Sequence, residues 1–264
     1  MSGLKLAVLY GFYPHILGFC GPQEKTLPLK LWQFLISGSI AETEVRKILK
    51  DFKAAYAYYR LIAKANRIRD PFHAEVVEAY WLGNELLEKV SLEAVKEMIA
   101  NDFAGPGLLG KEAARLTAEK IPVGAKPHHS FHVYFIGSIT GRIELDDKLR
   151  DLCRISWGKV IEKSKIKYQT SKIQRKNQKY LKNLDKPEKI IIEYQPIIKR
   201  ERKYILGRKE KREIIWDKRL VPELKAGDWV TTHWGHAIQV ISRQQAESLE
   251  KYTRKTINLI NGQS

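Results

Sequence analysis

Between residues 28 and 120 apolar positions return every three or four residues. In AETEVRKILKDFKAAYAYYRLIAKANRI the spacing of Val45, Ile48, Leu49, Phe52, Ala55, Tyr56, Tyr59 and Ile62 predicts helix. Asp70-Pro71 matches a helix N-cap followed by proline at the first helical position, and FHAEVVEAYWLGNELLEKV continues from it. Ser91 opens a shorter helix, SLEAVKEMIANDF, and Gly105-Pro106-Gly107 breaks the chain before LLGKEAARLTAEK. Residues 1–26 carry glycine and proline punctuation, YGFYPHILGFCGPQ, and predict an ordered, loop-rich opening segment. The run 123–143, VGAKPHHSFHVYFIGSITGRI, fits a buried helix or a buried strand; His128 and His132, one turn apart, favour the helix.

After Cys153 the period changes. CRISWGKVIEK, KIKYQTSKI, EKIIIEYQPII, KREIIWDKRLV and DWVTTHWGHAIQVI are rich in β-branched and aromatic residues with partial alternation. Five short strands in so few residues predict a small OB-like β-barrel. SRQQAESLEKYTRKTINLIN then reads as a terminal amphipathic helix over about 243–260, with Ser242 as N-cap and Ala246, Leu249, Tyr252, Ile257 and Ile260 on its apolar stripe. The expected fold is α+β: a mainly helical domain over 1–150, then a barrel with its helix over 151–264. A basic run, about 163–186, reads as an inserted hairpin or loop.

Composition sharpens this division. The chain has 264 residues, 44% apolar, enough for a substantial core. Its formal charge is +17, and residues 153–264 hold 27 Lys/Arg against 12 Asp/Glu, so nearly all the excess lies in the second half. That asymmetry points to an acidic or polyanionic partner for the second half. No apolar run is long enough for a membrane span, and the N-terminus makes a poor signal peptide. Two cysteines, Cys20 and Cys153, are too few for a disulfide framework; a reduced, cytoplasmic protein without membrane insertion is the expectation.

Two separated blocks resemble one known family. CRISWGKVIEK, from Cys153, is similar to the opening of the small nickel–iron hydrogenase maturation chaperones of the HypC/HupF type, which begin Cys-x-x-(Ile/Val)-Pro-Gly-(Lys/Arg)-Val. LVPELKAGDWVTTHWGHAIQVISRQQAESL resembles their second block: a Gly-Asp-aromatic-Val strand, a histidine, Gly-x-Ala-Ile and a helix rich in Glu and Ala. The likeness covers roughly residues 152–262. It implies a metallochaperone that carries an iron fragment of Fe(CN)2CO type with a HypD-like partner and delivers it to a hydrogenase large-subunit precursor. Cys153 and His233 match the family's essential cysteine and histidine. Thiolate and imidazole suit low-spin iron, and one of each leaves coordination positions free for transfer. In the family the cysteine follows the initiator methionine, whereas Cys153 lies behind a whole helical segment, and Ser156-Trp157 stands where Ile-Pro is usual. The segment before the barrel resembles an uncharacterised prokaryotic family in which helices precede such a domain.

Other residues carry competing chemistry. Cys20, in FCGPQ, is a nucleophile or ligand if a base lowers its pKa, and a packed thiol otherwise. His128, His129 and His132 offer a second metal site; a zinc-protease H-E-x-x-H pattern would need glutamate where His129 stands. His73, Glu75 and Glu78 form a carboxylate–imidazole group suited to iron or acid–base work, or an ordinary exposed helix face. One arrangement joins Cys20, His73 and the HHSFH histidines in a single cleft; a separate reading is a thiol enzyme centred on Cys20 with His128 and His132. His236 reads as a rim residue, and Trp229 and Trp234 as packing. The basic run, with its tyrosines, also fits a nucleic-acid-binding barrel.

Overall fold

The first helix is one the periodicity does not predict. In the computed structural model, which describes residues 1–164 and 188–262, α1 spans Gly3–Ile16 where a loop-rich segment was expected. Every residue from Gly3 to His15 except Lys5 is buried. A helix covered on all sides has no polar face, so no amphipathic signal marks it. Its glycines and proline serve contacts instead. A Cβ on Gly3 would lie 2.0 Å from the Phe72 carbonyl oxygen, so only glycine allows that approach.

α2 (Leu27–Ile36), α3 (Glu42–Lys50) and α5 (Ala74–Trp81) pack on α1, while α4 (Lys53–Ala65) packs on α5, α6 (Leu92–Asp102) on α4, and α7 (Lys111–Glu119) on α6. The helix expected across 41–68 breaks at Asp51-Phe52 into α3 and α4. Asp70-Pro71 does not cap α5. Asp70 Oδ1 accepts from the Phe72 amide in a turn, its carboxylate pairs with Arg46, and α5 begins at Ala74. Ser91 is the expected cap of α6. Of the run 123–143, only α8 (His129–Phe131) and one π-helical turn, His132–Ile136, are helical. α9 (Asp147–Cys153) follows, so the expected boundary near 150 falls inside a helix.

The sheet strands are β1 (Ser156–Lys163), β2 (Glu188–Tyr194), β5 (Glu210–Trp216), β6 (Trp229–His233) and β7 (His236–Ile241); β3 (Ile197–Arg200) and β4 (Lys203–Leu206) form a separate hairpin. They pair in the order β1-β2-β5-β7-β6, and β1 also pairs with β6, which closes the sheet. Every pairing is antiparallel except β5 with β7. Alternation along β2 sends Ile190, Ile192 and Tyr194 inward to meet Val160, Ile214, Trp216 and Val230. Gly158 is needed in β1 because a Cβ there would lie 2.8 Å from the Glu193 carbonyl oxygen. The chain is thus α+β. The expected strand at KIKYQTSKI and the basic insertion 163–186 lie largely outside the described residues.

α10 (Arg243–Ile260) opens with the expected Ser242 cap, strengthened by Gln245 bonding back to the Ser242 amide. Its apolar face joins a core shared by both parts of the chain: residues such as Leu4, Tyr10, Tyr80, Trp81 and Ile139 pack in one cluster with Trp157, Ile238, Leu249 and Tyr252. Tyr252 lies over Gly83, and its hydroxyl bonds Asn84 O and Glu88. A Cβ on Gly83, at φ 84°, would come within 2.1 Å of the Tyr252 ring. Gly83→Ala is therefore expected to destabilise the protein by about 2 kcal/mol or more, from backbone strain and displacement of Tyr252. Thermal unfolding measures the loss, and hydrogen exchange should show it concentrated in α10.

Candidate cysteine–histidine metal centre

Three residues from distant segments meet where the helices face the sheet. A ligand atom of His129, of Cys153 and of His233 all lie within 4.8 Å of one another. The three residues are 5%, 8% and 1% exposed, so water does not satisfy them. Buried polar groups are normally paired, yet among the described residues His129 Nδ1 and His233 Nε2 have no hydrogen-bond partner.

His233 owes its position to two local devices. The register of β6 against β7 shifts between Thr231 and Thr232, immediately before it. Beyond it the chain reverses. GDWVTTHWGHAIQVIS is a hairpin, not a single strand: Trp234 (φ 52°) and Gly235 (φ 76°) turn it, and His233 pairs with His236. A left-handed tryptophan costs roughly 1–2 kcal/mol, offset here by its contacts. Its ring lies 4.4 Å from Phe19, and its amide donates to Leu152 O. That last bond ties the turn to the end of α9, next to Cys153.

The tautomer of His233 is set by α1. His233 Nδ1 lies 2.8 Å from the Tyr10 carbonyl oxygen, which can only accept; the ring therefore donates from Nδ1 and carries its lone pair on Nε2. In a regular helix Tyr10 O would accept from the amide of residue 14. Residue 14 is proline and has no N–H. Pro14 thus leaves the Tyr10 carbonyl free for the imidazole. The Tyr10 hydroxyl meanwhile bonds Thr231 and Gln239, clamping α1 to β6 and β7.

Cys153 is held from both sides in sequence. Asp151 and Arg154, both buried, form an ion pair at 2.9 Å; Asp151 also accepts from the Ile197 amide and approaches Arg212, and Arg154 donates to Gln195 O. This network fastens the end of α9 to the sheet. His129 follows the cap made by His128, whose Nδ1 accepts from the Ser130 amide. Its ring sits 4.6 Å from Trp81 and 5.3 Å from His233.

Desolvation sets the protonation of the centre. Burial pushes the Cys153 thiol well above its usual range, and the nearby Cys20 adds to that. Burial lowers His233 and His132 to about 4 and holds His129 well below the usual imidazole range, so all three imidazoles are neutral at pH 7. Neutral imidazoles offer lone pairs. A thiol in such surroundings is a poor nucleophile until a positive charge arrives to hold its sulfur as thiolate. A divalent ion is such a charge. Ligands bound to one tetrahedral ion lie about 3.5 Å apart, so the three atoms, already within 4.8 Å of one another, need to close by no more than roughly an ångström.

The cluster lines a cavity of about 350 Å³, walled largely by apolar and aromatic side chains, among them Phe19, Phe52, Tyr59, Tyr80, Trp81 and Trp234. Its exposed lining residues are Cys20, Asp51, Lys53, Pro106, Gly107 and Arg142, which mark the open end. Cys20 touches water there, yet atoms surround it as densely as in an interior; burial outweighs the nearby Arg142 and pushes its thiol up to about 11. The two observations agree if the thiol stands in a narrow opening, and neither sulfur is an activated nucleophile.

The other sequence-derived candidates separate. His129 does not build a second site with His128 and His132; it joins Cys153 and His233. His128 stacks on Tyr252, away from the cluster, and the two do not share a helical face because the helix starts at His129. His132 lines the cavity beside the Tyr58 hydroxyl. His73 and Glu75 are exposed, Glu78 bonds Gln245, and none of the three lines the cavity, so the single cleft with His73 does not form. His236 is buried rather than at a rim: it stacks 3.7 Å from Tyr13 and bonds Trp234 O. Tyr10 and Pro14 are the contributors that the sequence hid, and Pro14 inside an apolar run was the available signal.

Fold and cluster together define an α+β protein with a buried cysteine–histidine–histidine centre between a helical layer and a closed sheet. The chain belongs to a family described as "Family of unknown function (DUF6390)", matched over residues 1–187 and 183–264. Neither a curated protein nor a solved structure matches it.

Restoring the residue-14 amide should disturb the centre without unfolding the helix. Pro14→Ala is expected to weaken Co(II) binding about tenfold, the low end of what losing an outer partner of a ligating histidine costs. Anaerobic titration followed by visible absorption measures it, and unchanged affinity would refute the role given to the Tyr10 carbonyl.

Proposed function

We propose that this protein is a maturation factor that holds and hands over an iron fragment, with Cys153 and His233 as principal ligands and His129 beside them. The observation that carries the reading is the meeting of three ligand atoms within 4.8 Å from residues 129, 153 and 233. The HypC/HupF likeness marks two of those three residues on independent grounds. On this reading the closed sheet with its capped terminal helix is an OB-like barrel, and the cargo is of Fe(CN)2CO type. The partners are a HypD-like protein and a hydrogenase large-subunit precursor, met in the cytoplasm.

The donor set fits such a cargo. One thiolate and two neutral imidazoles are soft and borderline ligands suited to iron(II). The cavity is more than ten times the roughly 30 Å³ that one water occupies in the liquid, which leaves room for small diatomic ligands. Its apolar walls keep water off them. An opening to solvent is what delivery requires, whereas a closed four-cysteine cage would retain the metal. Among the described residues no helix is long and apolar enough to cross a membrane.

Anaerobic co-expression with hydrogenase maturation proteins, followed by infrared spectroscopy, tests the reading. Wild type should show CO and CN stretching bands. Cys153→Ala should lose them while keeping its circular dichroism and melting behaviour; bands of equal strength in that variant would sink the proposal.

A second reading, a basic β-domain that binds nucleic acid, draws on segment 199–211, where Lys199, Arg200, Arg202, Lys203, Arg208, Lys209 and Lys211 are exposed beside Glu201 and Glu210, and Lys209 pairs with Glu193. Filter binding of single-stranded RNA at 50 and 200 mM salt should then show a steep loss of affinity with salt. No retention at 50 mM salt eliminates it.

A further inference from the structure

Three protein ligands leave one position of a four-coordinate ion to be filled from the cavity, and Cys20 is the soft donor on that wall. It stands on the loop leaving α1, between Gly18 and Gly21, both left-handed at φ 81° and 78°. The loop backbone is anchored. The amides of Phe19 and Cys20 donate to Pro14 O, His15 Nδ1 lies 3.2 Å from Cys20 O, and Arg142 Nη1 donates to Gly21 O at 2.6 Å. Among the described residues none hydrogen-bonds the Cys20 sulfur, so its side chain can turn without breaking these ties. Cys20 and Cys153 line the same cavity, but Cys20 stands outside the 4.8 Å group, so it reaches the ion by turning its side chain inward.

Charge balance supplies the reason for a second thiolate. A bare divalent ion on Cys153 thiolate and two neutral histidines leaves one net positive charge in an apolar cavity. Burying an uncompensated charge is strongly unfavourable. A second thiolate brings the centre to zero before any anionic diatomic ligand is added.

We propose that Cys20 is the fourth ligand of this centre, a second thiolate that closes from the cavity mouth over a bare soft or borderline divalent ion held by Cys153, His129 and His233. This rests on the reading of that cluster as a metal site. Each sulfur gives up its proton to solvent as its bond to the ion forms, so two protons leave per ion bound, with no change of oxidation state. The same residue is the solvent-exposed one of the set, so release begins with its dissociation.

Co(II) under argon, with the full chain kept reduced, is the probe. Near-ultraviolet sulfur-to-cobalt absorption should have the intensity of two thiolates in the wild type. In Cys20→Ser the intensity per bound cobalt should fall by about half and the affinity at least tenfold. Full intensity and affinity in Cys20→Ser overturn the proposal. A second measurement needs no variant: in the wild type, Co(II) should protect Cys20 from iodoacetamide, read by peptide mass. Bound cobalt with one-thiolate intensity and an unprotected Cys20 removes Cys20 from the ligand set and leaves the three-residue site standing. No sulfur-to-cobalt absorption in the wild type removes the metal site itself, and this proposal with it.

Discussion

The hydrogen bond between the Tyr10 carbonyl and His233 Nδ1 is the contact on which the rest of the centre depends. It crosses from the first helix to a strand 223 residues later, and at the same residue the Tyr10 hydroxyl reaches Thr231 and Gln239. One side chain and one carbonyl thus set both the seat of the helix on the sheet and the tautomer of the imidazole. The bond exists because proline four residues on cannot claim the carbonyl. Proline inside a helix costs about 3 kcal/mol, from the lost hydrogen bond and the crowding of the carbonyl four residues back; here that carbonyl, of Tyr10, has the His233 imidazole as its partner.

The second constraint is desolvation. The centre lies in an aromatic shell of Tyr10, Tyr59, Tyr80 and Trp81. That shell strips charge from every titratable group it covers, leaving a protonated thiol and neutral imidazoles. Such a set gains little as acid–base machinery at neutral pH, because its pKa values are pushed away from the working range. The same neutrality suits it to receive a cation, whose charge then compensates the thiolate it creates. Burial is also why the ion pair of Asp151 and Arg154 matters. A buried pair contributes little net stability but loses much if one partner is removed, so it fixes the end of α9, and with it Cys153, in one place.

Much of the fold is legible in the sequence because it rests on local rules. Ser91 and Ser242 cap the helices they were expected to cap, and the alternation at 188–194 marks an inward-facing strand. Elements whose signal is erased by full burial are not legible. α1 has no polar face, and the 227–242 hairpin hides its reversal in Trp234-Gly235, a turn pair without the usual asparagine or aspartate. Asp70-Pro71 carried the cap chemistry but used it in a turn three residues early, because Arg46 holds the carboxylate.

The sequence alone determined that Cys153 and His233 deserved pairing, because two blocks in order carried them, and that thiol and imidazole chemistry was concentrated in few places. It could not choose among His128, His129 and His132, since helical spacing ranks positions on a face and says nothing of what that face meets. Only the tertiary structure decided that His129 turns to the cluster, that His128 turns to α10, and that Cys20 stands over the same cavity. Those choices follow from how a buried helix, a short π-turned segment and a closed sheet pack together, and packing is a property of distances between residues that are far apart in the chain.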